Sequence, residues 1–293
     1  MCQRLLPTSP SGACHCHRVD KHVVVIIGVG GMGQAIARRQ AAGRSLLGAD
    51  VNRETTESVA AQLVEEGYDV SAAVIDVASR ESVADLARRA AGTGAVSQVV
   101  HTAGLSPLQA GTADVLRVDL YGVAVVLEEF GKVIAARGAG LVIASMAGHM
   151  LGRLPADHER ALALTPADQL LSLPFLGPDT VNDPGYAYSI AKQANIVRVA
   201  AESVRWGRRG ARLNSVSPGV ISTAMGRNEL SGPHGEGMRA MVEGSGTGRM
   251  GTAADIAGAA AFLLGDDASF VTGTDLLVDG GVVAAIRSPL PHS

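Results

Sequence analysis

The sequence predicts an α/β protein, a doubly wound seven-stranded parallel sheet with helices on both faces, in a single domain. Three observations carry that expectation. From Val23 onward, apolar runs of strand length alternate with stretches of helical period, and such alternation builds βαβ units whose sheet is covered on both sides. The first run ends in a glycine-rich turn that leads directly into a helical stretch, an arrangement that offers backbone amides to a pyrophosphate. The 293 residues are 47% hydrophobic and 18% charged, which supplies an ample core for one large domain.

Taken in order, His22 to Ile27, Ser45 to Ala49, Val70 to Ile75 and Gln98 to His101 read as buried strands. Leu141 to Ser145, Arg212 to Val216 and Leu276 to Val278 complete the seven. Helical periods fill the gaps at Glu54 to Glu66, Arg80 to Ala91, Ala113 to Ala136 and Ala187 to Ala201. One stretch, His149 to Pro184, carries five prolines and interrupts the alternation, so residues 149–184 read as an insertion on the substrate rim. Within it, Thr165-Pro166-Ala167-Asp168 has the form of a helix start, with threonine as cap and proline first inside. The apolar segments Ala161 to Leu164 and Leu170 to Leu176 suit either a pocket cap or a surface for a neighbouring subunit. A second segment, 226–248, has seven glycines and reads as a lid.

Charge and cysteine placement remove several function classes. A net charge of −3 gives no basic footprint for nucleic acid or an anionic membrane. No apolar run reaches the roughly 18 residues of a membrane span, and the N-terminus lacks a signal-peptide core. Cys2, Cys14 and Cys16 all lie in the first sixteen residues, so the body reads as a reduced, cytoplasmic protein rather than a disulfide scaffold. Cys14-His15-Cys16-His17 lacks a second pair at a metal-finger distance, and no metal is expected. Residues 1–21 read as a flexible extension and 22–293 as the folded domain.

The chemistry clusters at two places. Gly28-Val29-Gly30-Gly31-Met32-Gly33 sits between a strand and a helix, and Asp50 ends the next strand, 22 residues after Gly28. A carboxylate there accepts from ribose hydroxyls and repels a 2′-phosphate, favouring NAD over NADP, although Arg53 lies nearby. Asp76-Val77 is placed for an adenine amino group or, equally, as a helix cap before Ser79. His101-Thr102-Ala103-Gly104 closes the fourth strand, with His101 read as a satisfied structural histidine. Further on, Ser145 ends a strand on the same rim. Tyr188 and Lys192 are four apart on one helix face, so the ammonium is expected to lower the phenol pKa and create a general acid/base.

These pieces, in this order, resemble the short-chain dehydrogenase/reductase family, with its Rossmann-type fold, over residues 22 to 283. Gly31 to Ala37, Asp50, Asp76-Val77, Ala103-Gly104, Ser145 with Gly148, Tyr188/Lys192, Leu213 to Thr223 and Val271 to Gly281 carry the match. The resemblance implies that Tyr188 is the general acid/base, that Lys192 tunes it and holds a ribose, and that Ser145 orients a carbonyl. It further implies that Pro218, Gly219, Ile221 and Thr223 face a nicotinamide. The long insertion resembles that of bacterial hydroxysteroid dehydrogenases and carbonyl reductases. Three departures stand out: a shorter glycine loop, His101-Thr102 in place of two asparagines, and Asp119 where the family carries an asparagine in its proton relay. Asp119 is expected to oppose phenolate formation and shift the pH optimum upward.

The function implied is NAD(H)-dependent hydride transfer between the cofactor and a secondary alcohol or ketone, apolar or steroid-like. The alternatives are an NADPH-dependent ketoreductase and a non-catalytic dinucleotide sensor. A homodimer or homotetramer is expected through the helices carrying Asp119 and Tyr188, with the Val123 to Leu127 run at the interface.

Overall fold

Seven strands hydrogen-bond in the order β3-β2-β1-β4-β5-β6-β7, every neighbouring pair parallel. They are β1 (His22–Ile27), β2 (Ser45–Asp50), β3 (Asp69–Val74), β4 (Ala95–His101), β5 (Ile134–Ile143), β6 (Arg212–Pro218) and β7 (Asp275–Val278). The structure is a computed structural model that describes residues 21–288; Cys2, Cys14, Cys16 and the rest of 1–20, like 289–293, lie outside the described residues. Parallel neighbours demand a crossover for every connection, and each crossover deposits a helix on one face.

One face is covered by α1 (Gly31–Gln40), α2 (Arg53–Glu65) and, much later in the chain, α12 (Ala253–Leu264), whose Ile36, Leu63 and Ile256 meet Val24, Ile26 and Leu141 of the sheet. The other face carries α3 (Arg80–Thr93), the run Thr112–Phe130 and α9 (Pro184–Gly207), packed on Val23, Val25, Ile27 and Val142. The residues of β1 alternate between the two clusters, as a period of two requires of a strand buried on both sides. The remaining helices are short: α6 (Ala147–Met150), α7 (Ala156–Leu164), α8 (Ala167–Leu170), α10 (Ala224–Ser231), α11 (Gly235–Glu243) and α13 (Val282–Arg287).

The run Thr112–Phe130 departs from a plain helix. It is α4 (Thr112–Val115), then seven residues of π-helix, Leu116–Gly122, then α5 (Val123–Phe130). The wider π turn buries Leu116, Asp119, Leu120 and Gly122 together. The helix expected to reach Ala136 stops at Phe130, because Ile134 already pairs with Val96 in the sheet. Tertiary pairing overrides the helical preference of Ala135 and Ala136.

The insertion also differs from expectation. Helix α8 begins at Ala167 with Pro166 at its cap position and Thr165 one residue outside, so the threonine does not cap. The segment docks on the chain's own helices. Leu162, Ala167, Leu170, Leu176 and Val181 are buried in the same core as α5 and α9. Each leucine buried there contributes about 1.5–3 kcal/mol. Val123 to Leu127, expected at a subunit interface, is itself buried within the described residues. A charged clasp completes the docking. Glu128 accepts the Ala167 N–H at 2.9 Å, and Arg80 spans Glu128, Glu129 and Asp168 at 2.6, 2.6 and 3.0 Å. The carboxylates hold the Arg80 guanidinium more firmly protonated than usual against the desolvation that opposes it.

Removing Arg80 leaves the largely buried Glu128 with Arg198 at 4.0 Å and Glu129 with Lys132 at 2.6 Å as remaining cations. Arg80→Ala is expected to lower unfolding free energy by about 1–3 kcal/mol in urea titration, with dinucleotide affinity retained; an unchanged midpoint would show that the clasp contributes nothing.

Candidate active site

The strand order reverses between β1 and β4, and a crevice opens there at the carboxyl ends of the strands. Ile27 runs into Gly28, whose φ of 95° is open to glycine alone without strain. A Cβ on Gly28 would lie 2.5 Å from the Ala103 nitrogen, and one on Gly33 only 2.0 Å from the Gly28 oxygen. These close approaches let α1 start at Gly31, so Gly31, Met32 and Gly33 form its first turn. Gly30 has no neighbour within 4 Å of its Cβ direction, which leaves room for a phosphate at the helix N-terminus.

Three side chains brace this loop. Asp50 accepts from the Val29 N–H at 3.0 Å and the Asn52 N–H at 3.2 Å, so its carboxylate is fixed beside the loop. Thr102, one of the departures from the family pattern, donates to the Gly28 carbonyl at 2.6 Å, a contact suited to a short hydroxyl. Gln34 donates to the Val29 carbonyl at 2.9 Å. Asp76 is exposed at the same edge and accepts from the Ala78 N–H, while Ser79 caps α3, so Asp76 is not the cap. Val77 is buried behind it. Arg53 pairs with Glu57 at 3.2 Å.

On the other side of the crevice, Asp183 accepts the Tyr186 N–H at 2.7 Å and Pro184 takes the first helical position, which starts α9. The helix then presents Tyr188 and Lys192 together, with Nζ 5.2 Å from the tyrosine ring centroid. Ser145 stands just past β5, its Oγ accepting from the Ala147 N–H at 3.2 Å. It lies near enough to Tyr188 to favour the phenolate. Lys192 is buried, and its Nζ is 4.0 Å from Asp119 Oδ1. Asp119 is wholly buried on the π turn; Oδ1 accepts the Leu105 N–H at 2.9 Å and its carbonyl accepts from Asn195 at 2.9 Å. Gly104 makes this contact possible, because a Cβ there would sit 2.8 Å from Asp119 Oδ1.

The electrostatics correct one expectation. Burial raises the Tyr188 phenol above its ordinary value, and this outweighs the lowering by Lys192; Asp119 and Glu229 push it further up, Ser145 down. Burial likewise raises the Asp119 carboxyl, opposed by Lys192 and the Leu105 N–H. His101 was expected to be satisfied, and it is not. It is 1% exposed, and neither ring nitrogen has a hydrogen-bond partner. It shares the face of Val99, beneath α9. Burial, aided by the Lys192 charge, depresses it to about 3. Asp119 Oδ2 and Asn195 Oδ1 are also buried without partners.

A cavity of about 300 Å³ joins the two sides, lined by Met32, Gly104, Ser145, Tyr188, Lys192, Pro218, Gly219, Ile221 and Thr223 among others. Thus the catalytic candidates and the nicotinamide-side candidates meet in one space, with Asp119 behind Lys192 rather than in the wall. Residues 149–184, expected on the substrate rim, contribute none of this lining. Segment 226–248 does contribute, through Gly226, Glu229, His234 and Met238. Glycine count pointed to that segment but not to Glu229. The signal available was Met225 and Glu229 at a spacing of four on one face of α10. Among the described residues no cluster of metal-binding side chains occurs, and no helix is long and apolar enough to cross a membrane.

Comparison with known proteins agrees with this geometry. Residues 21–154 match the family model described as short chain dehydrogenase, and 161–283 match one described as enoyl-(acyl carrier protein) reductase. The chain is 39% identical over 267 residues to the short-chain dehydrogenase/reductase bsc3 of Alternaria brassicicola, covering 91% of this chain and 97% of that one. It is 28% identical to the D-threitol dehydrogenase of Mycolicibacterium smegmatis, covering 90% and 94%. The crystal structure of levodione reductase superposes with a TM-score of 0.72 at 25% identity, over 91% of this chain and 98% of that one.

His101 links the site to acid stability. Because its folded pKa, about 3, is below the ordinary value near 6.5, the neutral ring favours folding above pH 6.5, and this is lost as pH falls toward 3. His101→Leu is expected to lessen the loss of unfolding free energy between pH 6.5 and 4.5 by about 2 kcal/mol, read by urea titration at each pH. Equal losses in parent and variant would refute it.

Proposed function

The chain belongs to the short-chain dehydrogenase/reductase family, oxidoreductases of alcohols and ketones that use a nicotinamide cofactor, and from that premise we propose an NAD(H)-dependent enzyme acting on a compact secondary alcohol or its ketone. The observation that carries the proposal is the meeting of Ser145, Tyr188 and Lys192 in one cavity with the glycine-loop side chain Met32 and with Pro218, Gly219 and Thr223.

The residues fit the cofactor. Gly30 leaves a phosphate-sized opening at the α1 N-terminus, Asp50 would accept from the adenosine ribose, and the exposed Asp76 from the adenine amino group. Asp50 disfavours a 2′-phosphate, which supports NAD over NADP; the exposed Arg53, paired with Glu57, is the nearby cation that would favour the phosphate. Bound nicotinamide supplies the hydride acceptor or donor. In the oxidative direction the substrate carbon loses a hydride and its hydroxyl proton passes to the Tyr188 oxygen. Ser145 donates to the substrate oxygen and holds it against the phenol. Lys192 stabilises the phenolate, and Asp119 acts through Lys192, as a positioning residue.

The cavity limits the substrate. About 300 Å³ is at the small end for ligand sites, and the nicotinamide ring shares it. A steroid-like substrate, expected from the insertion, draws no support from the cavity lining, to which the insertion contributes no residue. Leu105, Leu108, Met225 and Met238 still make much of the wall apolar. A cytoplasmic location and a homo-oligomer remain part of the proposed reading.

The test is cofactor reduction across a panel of secondary alcohols. Turnover with NAD is expected to exceed that with NADP, and Tyr188→Phe should lower kcat by at least about a hundredfold while NAD still binds. Retained turnover in that variant would sink the proposal. Because Asp119 raises the Tyr188 pKa, and oxidation needs the phenolate, Asp119→Asn should move the rising limb of kcat/KM to lower pH. An unshifted limb would show that Asp119 does not tune the tyrosine.

A further inference from the structure

Glu229 is out of keeping with the wall it belongs to. It comes from α10, on the lid segment, and faces a cavity whose nearby wall is Leu105, Pro107, Leu108, Met225 and Met238. The helix is anchored by its cap, Thr223, whose Oγ accepts the Gly226 N–H at 3.2 Å and which lines the same cavity. Glu229 therefore has a fixed place relative to Tyr188, near enough that its charge raises the phenol pKa.

A carboxylate has roughly four acceptor sites. Burial pushes the pKa of the Glu229 carboxyl up, and the Ser106 hydroxyl opposes it. A half-buried carboxylate with spare acceptor capacity costs free energy unless a donor arrives. Among the described residues no lysine or arginine other than Lys192 lines the cavity, and Lys192 lies beside Tyr188 and Asp119. Glu229 therefore keeps acceptor capacity that a donor on the substrate can use; His234, which lines the same cavity, is the other nearby side chain able to offer one.

We propose that Glu229 recognises a second hydrogen-bond donor, a hydroxyl or an ammonium, carried by the substrate away from its reacting carbon. The substrate class is then a compact diol, polyol or amino alcohol rather than a simple alcohol. The reacting hydroxyl sits between Ser145 and Tyr188, the carbon skeleton lies against Leu105, Leu108 and the methionines, and the second donor meets Glu229. This rests on the hydride-transfer reading, and deepens it by assigning specificity to one residue. A purely structural alternative has Glu229 latching α10 to Ser106; that role would affect all substrates alike.

The experiment compares cyclohexanol, the cyclohexanediol regioisomers and 2-aminocyclohexanol, with NAD as acceptor, in the parent, Glu229→Gln and Glu229→Leu. In the parent, kcat/KM for at least one diol or the amino alcohol should exceed that for cyclohexanol by tenfold or more. Glu229→Leu should erase that advantage, so that kcat/KM for the favoured diol or amino alcohol falls at least tenfold more than kcat/KM for cyclohexanol, both read above the rising limb of the pH profile. Glu229→Gln, which keeps the shape and can still bond a hydroxyl, should retain part of the diol preference but lose an ammonium preference. Whichever compound leads identifies the donor. Equal kcat/KM for mono- and bifunctional alcohols in the parent, or an equal loss on all substrates in both variants, would overturn the proposal. Calorimetric titration of the same compounds into the enzyme with NAD separates the two readings. Glu229-dependent diol binding without turnover of any alcohol would defeat the hydride-transfer reading and keep this one.

Discussion

A lysine held out of water is the constraint around which the active centre is built. Lys192 is 4% exposed, and an ammonium buried that deeply is tolerated only beside compensating charge. Asp119 supplies it at 4.0 Å. For the carboxylate to reach that place, the chain widens into a π turn, Gly104 gives up its side chain, and the Leu105 N–H points inward. Each of those local irregularities would cost stability alone. Together they fix the one cation that can draw the Tyr188 phenol back from the high pKa that burial imposes.

The same electrostatic balance explains why this centre differs from its family's pattern. An asparagine at 119 would be neutral, whereas Asp119 both steadies Lys192 and opposes phenolate formation. His101, a strand residue buried next to this cluster, adds no charge because burial and Lys192 keep the ring neutral over the ordinary pH range. The His101 nitrogens, Asp119 Oδ2 and Asn195 Oδ1 are buried there without hydrogen-bond partners. The glycine loop stands apart from this tension. It is shaped by close backbone approach and braced by Asp50 and Thr102, whose hydroxyl takes the place of the family's asparagine.

How much of this could be read beforehand depended on range. The central strands were legible because both faces of the sheet are covered there, as in the continuous apolar run Val23 to Ile27 of β1. Tyr188 and Lys192 were legible because helical spacing alone puts them together. The π turn was not, since nothing in Leu116 to Gly122 distinguishes it from an ordinary helix. The insertion's destination was equally hidden. Its leucines signalled burial, but the clasp of Arg80, Glu128, Glu129 and Asp168 is what shows that the segment docks on α5. Glu229 was overlooked because its segment is glycine-rich and its meaning depends on which residues face it.

The sequence by itself determined the parallel α/β fold and pointed to the glycine loop and to Ser145, Tyr188 and Lys192, since these follow from periodicity and from motifs only a few residues long. The tertiary structure decided the net direction of the Tyr188 pKa, the unsatisfied state of His101, the placement of 149–184 away from the cavity, and the presence of a carboxylate opposite the tyrosine. The physical reason is common to all four. Desolvation and pairing depend on every neighbour within a few ångströms, and those neighbours come from strands, helices and loops that lie far apart along the chain.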